Sequence, residues 1–259
     1  MGIDLVPSLR TLLLEKQQIR VCRWAFALVI IGLLLQLSSL VLVFSSMGGE
    51  EKPVEPEQII TRQSLFFLMA ITDWPRAVVL LIVGALHAWV GRSERWRSAG
   101  LGLLLTILAE LACHAIGLAV MGDSYSVKEG MPLGLRFALG VEQILRTLEN
   151  WWIAVALAEF ALACHDTILL GQSERLGYGV LASLLSVMAL VGWTTPLTEL
   201  PEDDFSQILV VAALASSLLV LVWLIQGIFR ALLISRLLIA HLDQASRDSA
   251  SAHSPDSGS

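Results

Sequence analysis

Apolar runs of about 20 residues, the length needed to cross the hydrocarbon core of a bilayer, recur along this 259-residue chain. A soluble core of similar size would interrupt such runs with polar faces. Here 56% of residues are hydrophobic, only 15% are charged and the mean hydropathy is +0.73, which lies outside the soluble range. The sequence therefore predicts an all-α, polytopic integral membrane helix bundle.

Six spans are predicted, over residues 24–46, 74–90, 101–121, 151–170, 177–196 and 208–229. The first follows Arg20 and Arg23 but exceeds the length of a signal-peptide apolar region and is not followed by an A-x-A site, so it reads as an uncleaved span. Segments rich in turn and charged residues separate the runs: EEKPVEPE, GRSERWRS, GDSYSVKEGMP, GQSERLG and TELPEDD.

The basic residues orient these spans. Arg10, Lys16, Arg20, Arg23, Arg92, Arg95, Arg97, Arg175, Arg230, Arg236 and Arg247 fall on one side. Only Lys52, Arg62, Arg76, Lys128, Arg136 and Arg146 fall on the other. Cytoplasmic loops carry the excess of Lys and Arg, so both termini are expected in the cytoplasm, with a bacterial inner membrane as the expected location. Trp24, Trp89 and Trp96 at inner boundaries, and Trp74, Trp151, Trp152 and Trp193 at outer ones, fit the interfacial preference of indole rings.

Outside the spans, residues 1–23 read as a cytoplasmic amphipathic lead-in, with Leu9, Leu12 and Leu13 set against basic residues. Asp73-Trp74-Pro75-Arg76 has the chemistry of a helix start. That places 59–71 in a separate outer interfacial segment; a single helix kinked at Pro75, with Asp73 and Arg76 buried as a pair, is the alternative. Residues 133–150 carry Glu142, Arg146 and Glu149 at i, i+4 and i+7, which reads as an outer amphipathic helix that leads into the fourth span, with a solvated charged stripe. The polar tail, 241–259, is expected to be disordered.

Two carboxylates stand near the middle of predicted spans, Glu110 and Glu159, with no Lys or Arg assigned to their depth. A charge at the bilayer centre costs roughly 2.5–3.5 kcal/mol on insertion scales, so each asks for a role. Each is followed by a Cys-His pair, Cys113-His114 and Cys164-His165. Glu110 and His114, four apart, share a helix face; Glu159 and His165 do not. With about 1.5 Å of rise per residue, His114 falls about 5 Å outside the midplane and His165 about 8 Å inside it. His87 is closer in depth to His165, which allows a bis-histidine haem site. The bland alternative makes these histidines and cysteines packing residues, and small-residue stripes such as Gly102, Thr106, Ala109, Cys113 and Gly117 support it.

The three cysteines lie in or beside apolar segments, which argues against a disulfide scaffold. A net charge of −6 argues against a nucleic-acid partner. The sequence contains no P-loop, H-E-x-x-H, G-x-S-x-G or C-x-x-C motif. Three functions follow. One is a proton- or cation-linked transport or channel-like component using Glu110, His114 and Glu159. A second is a non-catalytic subunit or scaffold within a homo-oligomer or membrane complex. The third is a haem-binding electron carrier using His87 and His165.

Overall fold

The computed structural model describes residues 15–47, 59–121, 124–126, 132–194 and 204–252. Six helices dominate: α1 (Lys16–Met47), α2 (Arg62–Val90), α3 (Glu94–Val120), α4 (Leu133–Ala163), α5 (Thr167–Thr194) and α6 (Asp204–Ala252). Two three-residue strands, β1 (Ile59–Thr61) and β2 (Ser124–Ser126), pair antiparallel just before α2 and just after α3.

Each helix packs on the next, and α6 closes against α1. The result is the helical membrane bundle that the apolar runs predict: α1, α2, α3, α5 and α6 are long and apolar enough to cross a membrane. Helix α4 is equally long, at 31 residues, but carries Arg136, Glu142, Arg146, Glu149 and Glu159. Its Leu157 and Phe160 are fully buried, together with Phe26, Trp96, Leu224 and Ile228 from neighbouring helices. Large apolar side chains such as Leu105, Leu181 and Leu218 point outward instead. In a membrane bundle, that outer surface meets lipid.

Polar contacts gather the turns at one end. Lys16 pairs with Asp243, joining the start of α1 to the last part of α6. Arg92, in the α2–α3 turn, lies 3.2 Å from Glu15, and Arg230 on α6 grips both oxygens of Asp166 in the α4–α5 turn. The beginning and end of the six-helix bundle thus share one side. At the α2–α3 crossing, a Cβ on Gly100 would lie 2.3 Å from the Ala88 amide nitrogen and 2.7 Å from the Gly84 carbonyl oxygen. The two backbones touch there, which only glycine allows.

Several element boundaries differ from those read in the sequence. Helix α2 begins at Arg62 and runs through Pro75, so 62–71 is continuous with the apolar span Asp73–Val90. Asp73 does not cap a helix; it faces Arg146 on α4. Proline removes one backbone bond, a loss that membrane helices tolerate when neighbours compensate. Residues 133–150 lead straight into the fourth apolar segment as the first part of α4, but their charged stripe is not solvated: Glu142 and Glu149 on it are buried.

Helix α4 stops at Ala163, not near 170, because Cys164 and His165 make a tight exit. The His165 amide donates to the Leu162 carbonyl and the Asp166 amide to that of Ala161, with His165 at φ 54°. This is the Schellman arrangement, with histidine in the place usually taken by glycine. Asp166 then caps α5, its Oδ1 accepting from the Leu169 amide at 2.6 Å. Helix α6 extends to Ala252, so the first part of the tail expected to be disordered is helical. Helix α1 begins at Lys16, within the expected lead-in. Leu9, Leu12, Leu13, Lys52, Lys128, His253 and most of the loop residues lie outside the described residues.

Candidate functional site

Three neighbouring helices each turn one ionisable face inward. Helix α2 contributes Asp73 and Arg76, α3 contributes Glu110 and His114, and α4 contributes Glu142, Arg146 and Glu149. The spacings of three, four and seven residues are those that align side chains along a helix.

Arg76, 3% exposed, donates through Nη1 to Oε2 of Glu149 at 2.5 Å and through Nη2 to Oε1 of Glu110. Arg146 donates from Nε to the same Glu110 oxygen at 2.9 Å. Its Nη2 meets Asp73 Oδ1 at 2.7 Å and Glu142 Oε1 at 2.5 Å. Glu142 Oε2 then lies 2.8 Å from Nε2 of His114. The expectation that no Arg or Lys reaches the depth of Glu110 is therefore wrong: two arginines do. Both were assigned to the outer side because α2 and α4 were expected to begin after or beside them.

Four carboxyl groups share two guanidinium groups in this cluster. Oε2 of Glu110 and Oε1 of Glu149 are buried and have no donor among the described residues. The Arg76 guanidinium holds both carboxyls, one on each Nη nitrogen. Two carboxyls gathered on one guanidinium in a buried setting favour keeping one proton between them. Asp73, His114 and Glu142 bring potential ligand atoms within 4.8 Å of one another. The Arg146 guanidinium already stands on both carboxylates, so the cationic position there is filled by the protein itself.

Glu159 does not join this cluster. Its Oε2 accepts from Ser93 Oγ at 2.6 Å, and Arg95 approaches its other oxygen at 3.6 Å. Ser93 in turn caps α3 by accepting from the Trp96 amide at 3.0 Å. Ser93 and Glu110 are separated by about 25 Å of helical rise. Glu159 thus sits at the turn end of the bundle rather than near its middle.

The two histidines considered for haem are not a facing pair. His87 is fully enclosed, with Trp96 Nε1 donating to its Nδ1 at 3.1 Å and the Phe26 ring 5.2 Å away. His165 is exposed in the left-handed turn after α4. His87 Nε2 is buried and has no hydrogen-bond partner among the described residues.

Beside the cluster, a pocket of about 400 Å³ opens between α2 and α3, lined by Phe66, Trp74, Val78, Leu111, His114 and Ala115 among others. Sequence reasoning picked out Glu110 and His114 but missed Asp73, Arg76, Glu142, Arg146 and Glu149 as members of one site. The available signal was three ionisable sets at helical spacing in consecutive segments. No family model matches the chain, and no curated protein or solved structure shows significant similarity to it.

Proposed function

We propose that this chain is a proton-linked transport or channel-like membrane component whose α2–α3–α4 cluster takes up and releases a proton. The observation that carries this reading is the excess of four carboxyls over two guanidinium groups in a buried setting. Uncompensated charge is costly away from water. One proton between Glu110 and Glu149 lowers the excess from two negative charges to one. A proton held by such a balance leaves when a neighbouring ion pair opens. The orientation that fits is cytoplasmic for both termini. With Arg76 and Arg146 buried, the described basic residues expected outside reduce to Arg62 and Arg136, which strengthens the charge bias.

A second reading, a non-catalytic membrane subunit, has its own support. The ion pairs are direct, and they fasten three helices together. Reconstitution separates the two. In liposomes holding a pH-sensitive dye, the wild type dissipates an imposed proton gradient faster than protein-free liposomes, and Glu149→Gln loses this activity at temperatures where it remains folded. A wild type no leakier than protein-free liposomes, under either a pH gradient or a membrane potential, contradicts the transport reading and leaves the subunit reading standing.

A further inference from the structure

The pocket between α2 and α3 combines features that a membrane-facing binding site requires. Its volume, about 400 Å³, falls in the range of small-molecule sites. Phe66, Trp74 and Val78 at its rim are exposed on the outer surface of the bundle. A ligand can therefore enter sideways from lipid. Phe66 and Trp74 stand edge to face at 5.4 Å, an aromatic border suited to another ring.

His114 is a polar member of the lining, only 4% exposed, and neither of its ring nitrogens has a hydrogen bond among the described residues. Nε2 lies 2.8 Å from the Glu142 carboxylate but out of line for a hydrogen bond. In a neutral imidazole one of the two ring nitrogens is an acceptor. Rotation about χ2, which is broad for imidazoles, presents that acceptor to the pocket.

We infer that this pocket binds a neutral, ring-bearing lipophile with a free hydroxyl, of the phenol or quinol class, whose hydroxyl donates to His114. An anionic headgroup is disfavoured by the carboxyls clustered behind the imidazole. An ammonium headgroup finds no free counter-charge, because the Glu142 and Asp73 carboxylates are engaged by Arg146. This inference does not depend on proton transport, since binding is measured in the absence of any gradient.

The test is equilibrium binding of radiolabelled para-octylphenol to the full chain in lipid nanodiscs, with protein-free nanodiscs as the partition blank. The methyl ether of the same probe, which lacks only the donor, and para-octylbenzylammonium serve as comparators. Saturable binding of the phenol about tenfold tighter than the ether is expected, the worth of one hydrogen bond. His114→Leu is expected to erase that difference. Ala115→Phe fills the pocket from an exposed position of α3 and should abolish saturable binding while leaving the fold intact. Equal binding of phenol and ether, stronger binding of the ammonium probe, no saturable binding at all, or an unaffected Ala115→Phe variant would each overturn the inference.

Discussion

Arg146 donates its Nε to Oε1 of Glu110 at 2.9 Å, the same oxygen that Arg76 reaches from α2. One carboxylate oxygen on α3 thus receives guanidinium groups from both flanking helices. Because the outer surface of the bundle is apolar, these charges find their partners only inside it. The polar faces of α2, α3 and α4 are consequently held in a single register.

Removing Arg146 tests how far that register depends on charge. Arg146→Met leaves Asp73, Glu142 and part of Glu110 without their shared cation, and breaking a buried ion pair in this way costs about 3–5 kcal/mol. Adding Asp73→Asn and Glu142→Gln should recover much of the loss, because the stranded charges are then gone. Denaturation of the detergent-solubilised variants measures both. A single variant as stable as wild type would show that the ion pairs do not hold the helices.

Glu159 should behave differently, since it supports the Ser93 cap and has no link to the cluster. Glu159→Ala is expected to cost about 1 kcal/mol, the usual worth of a cap or a single hydrogen bond. Hydrogen exchange should speed up at the first amides of α3, around Trp96, while proton flux stays at the wild-type rate. Loss of flux in this variant would place Glu159 in the proton path.

At the α4–α5 turn, His165 holds φ 54° in a position that normally favours glycine. A β-branched His165→Val is expected to be less stable than His165→Gly by about 1–2 kcal/mol, because only glycine holds a positive φ without strain. Thermal midpoints of the two variants, read side by side, check the assignment. A His165→Val variant as stable as His165→Gly would show that the turn does not depend on the positive φ.

The helical membrane character was legible because apolar length is a property of sequence alone. What covers a polar face is not. Glu142, Arg146 and Glu149 show the same i, i+4, i+7 pattern whether the stripe meets water or the inward faces of α2 and α3. Periodicity therefore located the stripe and misread its surroundings. Asp73 and Pro75 resemble a helix start in sequence, yet Asp73 is engaged by Arg146 from a helix 73 residues away. The end of α4 was missed for a related reason: the exit turn uses His165 rather than glycine, and the capping role of Asp166 shows only once α5 is seen to begin at Thr167. With both errors in place, Glu159 was put near mid-membrane and Arg76 and Arg146 were put outside it.

The central claim is that the buried cluster holds a proton on its carboxyl groups, and infrared difference spectroscopy reads this directly. Spectra of the wild type at neutral pH, compared with Glu149→Gln and Glu110→Gln, should contain the carbonyl stretch of a protonated carboxyl that is altered or lost in the two variants and unchanged in Glu159→Gln. A wild type showing only ionised carboxylates, with no protonated band sensitive to Glu110 or Glu149, would contradict it.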